Sequence, residues 1–398
     1  MKYDVVIIGA GIVGLATAYR LLEKKPEWKI CILEKEQDVA AHQTGHNSGV
    51  MHSGIYYKPG SLKAVNCVNG YNQLRAFAEQ YAIPFDICGK IIVAVQQEQL
   101  PVLDRIYERG VQNGLAGLRK IGKEEIREIE PHVTMGVQGI VVPQAGIINY
   151  KAVAKQLAAL IKQQGGEIIF GAKVRHIRIS GSETVVETGA GDFTAALLIN
   201  CAGLYSDTIA RLTHPALDMR IIPFRGEYYK LKKEKEYLVR NLIYPVPDPN
   251  FPFLGVHFTR MIEGGIESGP NAVLAFRKEG YRLSDFHAGE FFETLAWPGF
   301  RKIAQKYWRT ELRELHRSFS KAAFVKALQE LIPEIAIDDV EDGGSGVRAQ
   351  AVDRAGNLVD DFAILESRNV LNVCNAPSPA ATSCLSIGEH IAGKAVSL

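Results

Sequence analysis

The sequence predicts an α/β protein, or α+β overall, in which a parallel nucleotide-binding sheet is combined with a second, antiparallel sheet. Three observations lead to this fold class. The chain begins with a strand, a glycine turn, a helix and a second strand, as in a Rossmann-like βαβ unit. Two later stretches, residues 223–230 and 243–260, instead alternate apolar and polar residues, as antiparallel strands do. Three segments of the chain return to the nucleotide-binding pattern, so we expect a Rossmann-like domain and a discontinuous antiparallel-sheet domain.

The first unit carries a complete dinucleotide-binding pattern. An apolar run over residues 3–8 leads into Gly9, Gly11 and Gly14 of GAGIVG, and a helical pattern follows. These glycines allow a tight turn, a close approach of the backbone to a pyrophosphate, and close packing of helix on strand. A second strand ends at Glu34, whose carboxylate can accept hydrogen bonds from a ribose diol. An acid here favours a free adenosine ribose over a 2′-phosphate.

Composition is that of an ordinary globular protein. Hydrophobic residues make up 47% of the 398 residues, and the formal net charge of +2 gives no argument for a nucleic-acid partner. No apolar stretch reaches the ~18 residues of a membrane span, and residues 1–18 read as a strand and a glycine turn. We therefore expect a cytoplasmic protein. The six cysteines form no CxxC pair, so no metal site is expected.

A dense group of small and hydrogen-bonding residues follows Glu34 and predicts a segment that passes the pyrophosphate and reaches a redox ring. A glycine-rich surface loop is the alternative, but it does not explain the apolar Val50, Met51 and Ile55 that come next. The residues that we expect at the cofactor in this group are Thr44, His46, Asn47, Ser48 and Gly49.

Three later positions are also predicted to meet the cofactor. Val174 begins a strand in a pair of the kind that commonly supplies backbone to an adenine ring. Gly203 follows a buried strand over residues 195–200. The run NAPSPAATS precedes the last helix, where backbone N–H groups can stabilise negative charge; an ordinary helix cap is the alternative. From this run we select Asn375, Pro377, Ala380, Ala381 and Thr382.

Two excursions from the nucleotide-binding pattern divide the chain into segments. The predicted cofactor-binding domain comprises residues 1–85, 145–218 and 340–398, and the predicted substrate domain comprises residues 86–144 and 219–339. A long helical region over residues 297–329, broken once, has an apolar stripe and a basic face. The stripe packs on the substrate domain in one interpretation. In the other, Trp297, Phe300 and Trp308 rest with Arg301, Lys302, Arg309 and Arg313 on an anionic membrane.

Several stretches across the whole chain resemble the FAD-dependent D-amino-acid oxidase and glycerol-3-phosphate dehydrogenase superfamily, and most closely its L-2-hydroxyglutarate oxidase/dehydrogenase branch. GAGIVG with Glu34 is common to the superfamily, and the more specific stretches occur in the order of that branch. They are HQTGHNSGVMHSGIYY from His42, CGKIIVA from Cys88, PFRGEYY from Pro223, YPVPDPNFPFLGVHFTR from Tyr244, GPNAVLAF from Gly269, GVRAQAV from Gly346 and NAPSPAATS from Asn375.

The resemblance implies oxidation of L-2-hydroxyglutarate to 2-oxoglutarate by hydride transfer to N5 of a noncovalent FAD. Electrons would pass to quinone or O₂, with a peripheral contact on the cytoplasmic face of the inner membrane. Some members of the superfamily attach flavin through a cysteine near the C-terminal segment, for which Cys384 is the candidate here.

The chemistry requires a base for the hydroxyl proton and cations for the substrate carboxylates. His257 in GVHFTR and His52 in VMHSG are the candidate bases, with His257 preferred. Arg348 and Arg225 are the expected carboxylate partners because a guanidinium matches a carboxylate bidentately. Arg260 is a reserve, and hydroxyl donors are expected among Tyr56, Tyr57 and Tyr228.

Two rival functions remain compatible with the same architecture. One is a related flavoenzyme that oxidises another 2-hydroxy acid, an amino acid or glycerol 3-phosphate. A phosphate substrate favours a basic cluster, whereas two separated arginines favour a dicarboxylate. The other is a flavin-binding redox module without turnover, which leaves the two histidines and the arginines of the specific stretches without a purpose.

Overall fold

The computed structural model describes residues 2–248 and 255–398; the side chains of residues 309–317 and 319 are not described. Part of the alternating stretch over residues 243–260 therefore lies outside the described residues. The strands are β1 Lys2–Ile8, β2 Ile30–Leu33, β3 Val50–Met51, β4 Phe85–Asp86, β5 Lys90–Ala94, β6 Arg119–Gly122, β7 Gln138–Val142, β8 Gly146–Ile148, β9 Glu167–Ile169, β10 Val174–Ser180, β11 Glu183–Thr188, β12 Gly191–Asn200, β13 Met219–Leu231, β14 Leu242–Pro245, β15 His257–Arg260, β16 Ile266–Gly269, β17 Val273–Leu274, β18 Val340–Asp353, β19 Ala363–Ser367 and β20 Val370–Asn375.

Helices cover the sheets and connect the strands. Buried apolar residues recur in them every three or four positions, as at Cys67, Tyr71, Leu74 and Phe77. Ser61 and Asn149 cap the helices that follow them, each accepting a hydrogen bond from a backbone N–H three residues later. The helices are α1 Ile12–Lys24, α2 Leu62–Gln80, α3 Leu100–Gln112, α4 Lys123–Ile129, α5 Tyr150–Gln163, α6 Ser206–Thr213, α7 Ala288–Ala296, α8 Pro298–Phe319, α9 Lys321–Leu328 and α10 Cys384–Ser397.

The first sheet is built around β1, which lies between β2 and β12 in parallel register. β9 continues the sheet beyond β2, and β20 pairs in parallel with the end of β12. The antiparallel hairpin β10–β11 joins the beginning of β12, and β19 pairs antiparallel with β20. β2 is buried throughout, as expected for a parallel strand covered on both faces. This topology confirms the predicted Rossmann-like architecture.

The second sheet has nine strands and is largely antiparallel. Its order is β17, β13, β16, β15, β14, β5, β7 and β6, with β18 pairing along β13; β14 and β5 are parallel to each other. A third, small sheet is formed by β3, β8 and β4, with β8 in the middle. The predicted α+β combination is therefore confirmed.

The position of β18 differs from the sequence prediction. Residues 343–350 were expected in the cofactor-binding domain, but β18 pairs with β13 from Met219 opposite Asp353 to Leu231 opposite Val340. Because residues 343, 344 and 346 are glycines, this segment does not show the alternation of apolar and polar residues that predicts a strand. Its hydrogen bonds come from β13, which is distant in the sequence. We propose that the chain returns to the first sheet after Asp353, at β19, and we retain the division into two discontinuous domains as a proposal.

The helical region near residue 297 contains three helices, and α8 is separated from α9 at Ser320, which caps α9. Trp297 is only 7% exposed, and its indole N–H donates to Val352 O at 3.1 Å. Phe300 packs against the same apolar cluster. The first part of the stripe therefore packs on the second sheet, whereas Trp308 is exposed. Among the described helices, none is long and apolar enough to cross a membrane.

Candidate active site

A cavity of about 1110 Å³ lies where the carboxyl ends of β1 and β2 face the second sheet. Ligands of open α/β sheets bind at this edge. Gly14 and Gly49 do not line the cavity, because each packs against the backbone of a neighbouring segment. The predicted residues that line the cavity are Gly9, Gly11, Glu34, Thr44, His46, Asn47, Ser48, His52, Val174, Gly203, His257, Arg348, Asn375, Pro377, Ala380, Ala381 and Thr382.

The glycine turn has three different steric requirements. Gly9 has a φ of 103°, and a Cβ on it would lie 2.6 Å from Cys201 O. A Cβ on Gly14 would lie 2.1 Å from Gly9 O, so this glycine permits helix–strand contact. At Gly11 the nearest atom is Thr44 Oγ1 at 3.6 Å, which leaves its backbone open to the cavity. This is the arrangement that the approach of a pyrophosphate requires.

The N-terminus of α1 points at the same opening. Gly11 is the N-cap and offers no side chain, and the N–H of Ile12 donates to Thr44 Oγ1 at 3.0 Å. The partial positive charge at a helix N-terminus favours an anion. Glu34 stands beside it at the end of β2, where its carboxylate accepts from Ala10 N at 2.8 Å and from Glu36 N at 3.0 Å. Since a carboxylate has about four acceptor sites, Glu34 retains capacity for a ribose diol.

The polar loop after β2 is held by its own side chains. Asn47 donates to Thr44 O at 2.8 Å and accepts from Gly49 N at 2.9 Å. Gly49 has a φ of 66°, and a Cβ there would lie 2.9 Å from Ile148 O. Gly49 is therefore required for the turn and for packing, and does not itself face the cavity. The His46 ring lies 4.4 Å from the Tyr281 ring, which covers this loop.

The C-terminal run closes the cavity from the opposite side. Thr382 is buried; its hydroxyl lies 2.8 Å from the Tyr150 hydroxyl and accepts from His52 N at 3.1 Å. Asn375 donates to Val359 O at 2.8 Å and so fixes the beginning of the run. Cys384 is fully buried, and burial raises the pKa of its thiol to about 12. It does not line the cavity, which gives no support for a cysteine linkage to a cofactor.

His257 lies on β15 with its ring buried. Its Nδ1 is 3.0 Å from Gly255 O, and a carbonyl oxygen can only accept, so Nδ1 carries the proton. The other nitrogen, Nε2, is then the basic one. The His257 ring lies 4.1 Å from the Tyr244 ring, which fixes its orientation.

The two candidate bases, His52 and His257, are neutral at ordinary pH. Burial lowers the pKa of His52 to about 3, with a further contribution from the charge of Lys90. Burial likewise lowers the pKa of His257 to about 3 against the hydrogen bond to Gly255, and the charges of Arg348 and Lys90 act in the same direction. A neutral imidazole has a free lone pair and can accept a proton, although the lowered pKa makes each residue a weaker base than an exposed histidine.

Arg348 enters the cavity from β18, and its charge lowers the pKa of His52, His257 and Lys63. Lys63 also lines the cavity, with its ammonium 5.0 Å from the Tyr57 ring. Burial lowers the pKa of Lys63 while the charges of nearby aspartates oppose the shift. Lys63 is not among the residues predicted from the sequence, because a lysine in the first turn of a helix is usually a solvated charge.

Arg225 does not join this group, which differs from the sequence prediction. Gly226 and Tyr228 of β13 line the cavity, and alternation along a strand turns Arg225 to the opposite face. There Arg225 is 3% exposed and pairs with Glu227 at 2.8 Å. Arg260 also lies outside the cavity and is paired with Asp86. Both arginines therefore have a carboxylate partner within the protein.

The three predicted tyrosines all line the cavity. The hydroxyl of Tyr56 is buried and has no hydrogen-bond partner among the described atoms. A buried donor without a partner is costly, which makes Tyr56 the strongest candidate for a ligand contact. Lys90 lies behind Tyr56 and is a second residue that the sequence analysis missed, although a lysine within the apolar stretch KIIVA was a detectable signal.

A cluster at the cofactor end of the cavity has the composition of a metal site. Ligand atoms of Glu36, His42 and Glu279 lie within 4.8 Å of one another. The ammonium of Lys35 lies among them, 2.9 Å from His42 Nε2 and 2.5 Å from a Glu279 oxygen. Lys35 therefore supplies the positive charge at the point that a metal ion would occupy.

Similar proteins cover the chain from end to end. The L-2-hydroxyglutarate dehydrogenase of Indibacter alkaliphilus is 57% identical over 392 residues, which are 98% of each chain. The mitochondrial L-2-hydroxyglutarate dehydrogenase of Homo sapiens is 46% identical over 408 residues, covering 98% of this chain and 88% of the human one. The L-2-hydroxyglutarate dehydrogenase of Escherichia coli K12 is 43% identical over 397 residues, covering 100% and 94%.

Solved structures share the fold at much lower identity. The L-alpha-glycerophosphate oxidase of Mycoplasma pneumoniae, solved with FAD bound, has a TM-score of 0.81 at 23% identity and covers 100% of this chain and 95% of its own. Glycine oxidase of Geobacillus kaustophilus has a TM-score of 0.74 at 18% identity with the same coverage. The family model described as FAD dependent oxidoreductase matches residues 4–394. With the glycine turn and the cavity described above, this match means that the chain belongs to the family of FAD-dependent oxidoreductases.

Proposed function

We propose that this protein oxidises L-2-hydroxyglutarate to 2-oxoglutarate. The observation that carries the proposal is the meeting of a neutral histidine, His257, with the cations Arg348 and Lys63 in one cavity that continues into the dinucleotide groove. A 2-hydroxy dicarboxylate needs both kinds of group. Relatives at 43–57% identity along the whole chain carry the name of this activity, which supports the same substrate.

We assign the FAD contacts to the residues of the groove. Gly9 and Gly14 form the turn, Gly11 and the N-terminus of α1 face the pyrophosphate, and Glu34 accepts from the adenosine ribose. Bound FAD supplies the hydride acceptor of the reaction. The remaining assigned contacts are Thr44, His46, Asn47, Ser48, Val174, Gly203, Asn375, Pro377, Ala380, Ala381 and Thr382, with Gly49 supporting the loop from behind.

The base is assigned to His257, with His52 as the alternative. Because Nδ1 of His257 donates to Gly255 O, its Nε2 is free to take the proton of the substrate hydroxyl. The carbonyl of Gly255 and the Tyr244 ring hold the imidazole in one orientation. His52 lacks a comparable fixed partner on its ring among the described hydrogen bonds, although its backbone is held by Thr382.

The substrate carboxylates are assigned to Arg348 and Lys63, and the hydroxyl of Tyr56 is an additional donor. A guanidinium binds a carboxylate through two parallel hydrogen bonds, which fixes its plane, while an ammonium acts as a point charge. Arg225 leaves this assignment because its side chain pairs with Glu227 on the other face of β13. Two separate cations favour a dicarboxylate over a single phosphate.

We further propose quinone or O₂ as electron acceptor, with a peripheral membrane contact through α7 and α8. Phe286, Phe292 and Trp308 are 56%, 63% and 53% exposed, and the exposed Arg301 and Lys302 are nearby in the sequence on α8. Exposed aromatic rings beside basic residues favour an anionic lipid surface. Trp297 and Phe300, which were also predicted to contact the membrane, are not part of this proposed surface because they pack inside the protein. The side chains of Arg309 and Arg313 lie outside the described residues.

Replacement of Gly11 by alanine should weaken FAD binding without unfolding the protein. The new Cβ has 3.6 Å to its nearest neighbour, so the apoprotein tolerates it, but it occupies the space of the pyrophosphate. We expect at least a roughly tenfold loss of FAD affinity, which is about 1.4 kcal/mol. FAD titration monitored by flavin fluorescence measures the loss, and the apoprotein Tm checks the fold. Gly393→Ala, whose Cβ meets nothing, is the control; equal affinities in both variants would contradict the assignment.

Anaerobic reduction of the flavin tests the proposed substrate. L-2-hydroxyglutarate should bleach the oxidised absorbance band, because the cavity offers a base and two cations to this dicarboxylate. Its D enantiomer, lactate, glycerol 3-phosphate and glycine are the comparison substrates, and we expect them to react slowly or not at all. Bleaching by one of these and not by L-2-hydroxyglutarate would reject the substrate, and no bleaching by any would favour a binding module.

Replacement of the histidines tests the base. His257→Gln should slow flavin reduction by about 10²–10⁴-fold, the usual contribution of a general base. Because the pKa of His257 is lowered to about 3, the neutral form persists above that value, and the rate constant of reduction at saturating substrate should stay the same from pH 8 down to about pH 5. His214→Gln, at the exposed end of α6, is the control. Near-wild-type reduction by both His257→Gln and His52→Gln would rule out a histidine base.

Cosedimentation with anionic liposomes tests the membrane contact. Charge reversal of Arg301 and Lys302 to glutamate should reduce the bound fraction several-fold, because each basic residue near such a surface contributes about 1 kcal/mol. The matched control reverses Lys155 and Lys162, two exposed lysines of α5. The proposed surface is wrong if both double variants sediment like the wild type.

A further inference from the structure

A lysine lies inside the apolar core beside the candidate active site, and the proposed function makes no use of it. Lys90 is the first residue of β5 and is only 2% exposed. Alternation along the strand places it on the face of Ile92 and Ala94, which pack in an apolar cluster with Tyr244. An ammonium in such surroundings is costly unless a negative charge compensates it.

The partners of Lys90 within the protein are aromatic. Its Nζ lies 4.7 Å from the ring centroid of Tyr56 and 4.6 Å from that of Tyr244. Cation–π contacts of this kind replace part of the lost hydration. No carboxylate of the described side chains forms an ion pair with Lys90. Both tyrosines line the cavity, so an aromatic layer separates the ammonium from a bound substrate.

We propose that Lys90 is a positioning residue for an anionic substrate: from behind Tyr56 and Tyr244, its ammonium draws a substrate carboxylate into the cavity. This inference rests on the proposed function, because it requires that the occupant of the cavity be a carboxylate.

The attraction for a substrate carboxylate follows because the Lys90 ammonium has no ion-pair partner among the described side chains. A charge in a low-dielectric interior is poorly screened and acts over several ångströms. A carboxylate in the cavity supplies the compensation that the protein itself lacks, so its binding is favoured. The unpartnered hydroxyl of Tyr56, whose ring lies against Lys90, is available to donate to the same carboxylate.

The same charge also reaches the two histidines. Burial is the main cause of the lowered pKa of His52 and His257, and the charge of Lys90 adds to it, because a second positive charge nearby is unfavourable. Both imidazoles are therefore neutral beside Lys90. An exposed lysine would be screened by water and would have little influence of this kind.

The charge of Lys90 should depend on pH in the physiological range. Burial lowers its pKa to about 7, so the ammonium is present below that pH and is lost above it. The groups that sense it do not titrate there: the pKa of the Cys67 thiol is raised to about 12, and those of His52 and His257 are lowered to about 3. Burial raises the pKa of Tyr56 and Tyr244 above the usual value, and arginine stays charged.

The experiment compares Lys90→Met with Lys90→Arg in the FAD-loaded enzyme. The dissociation constant of 2-oxoglutarate is measured from the perturbation of the flavin spectrum, together with KM and kcat for L-2-hydroxyglutarate from pH 6 to 9. Lys90→Met should raise both the dissociation constant and KM by at least about tenfold, which is about 1.4 kcal/mol. Lys90→Arg should restore most of the affinity. The wild-type KM should rise above about pH 7, and this rise should be absent in Lys90→Arg.

Lys120→Met is the matched control, since Lys120 also lies 5.1 Å from a tyrosine ring but is solvated and pairs with Asp104. Tm and FAD content are recorded for every variant. Unchanged affinity in Lys90→Met overturns the proposal, and so does a loss of Tm and FAD that Lys90→Arg fails to restore, because the role is then structural.

A different result would reject the proposed function. In that case the flavin of the wild-type protein is bleached by another substrate and is not bleached by L-2-hydroxyglutarate. The same comparison of dissociation constants, made with that substrate, then decides the role of Lys90. A tenfold loss in Lys90→Met with a carboxylate substrate supports it, and equal binding overturns it.

Discussion

The contact of backbone with backbone at the glycine turn is the constraint on which the rest of the cofactor groove depends. Gly9, Gly14 and Cys201 bring β1, α1 and the end of β12 so close that no Cβ fits at either glycine. α10 approaches α1 in the same manner, since a Cβ on Gly388 would lie 2.6 Å from the Ala16 backbone. With these elements fixed, the N-terminus of α1 and the carboxylate of Glu34 face one opening. The groove is therefore formed by the packing of the protein itself.

Burial is the second physical theme, because it lowers the pKa of the two candidate bases and of two lysines around the substrate end of the cavity. It keeps His52 and His257 neutral and moves the pKa of Lys90 to about 7. Both shifts come from the removal of water. The histidines are left without a proton, and Lys90 remains a cation that loses its proton near neutral pH. A cavity with these properties binds an anion without relying on exposed salt bridges, which water and salt weaken.

Strand alternation explains which predicted residues belong to the site. Arg225 and Tyr228 occur in the same stretch, PFRGEYY, but they lie on opposite faces of β13. Arg348 enters from β18, a strand whose existence depends on pairing with β13 and whose glycines gave no clear period. Lys63 and Lys90 were missed because a lysine has a solvated side chain in most sequences. Their proposed roles follow only from their positions, Lys63 in the cavity and Lys90 against the rings of Tyr56 and Tyr244.

The sequence by itself determined the Rossmann-like unit and its dinucleotide pattern, because glycine spacing and a terminal acid act over short distances along the chain. It also predicted most of the residues that the structure brings to one cavity, among them His52, His257 and Arg348, whose roles stay predictions. Only the tertiary structure decided the place of β18, the exclusion of Arg225 and Arg260, and the burial of Lys90 and Trp297. These depend on which distant strand pairs with which, and on which face of a strand meets the core, and neither is encoded within a short segment.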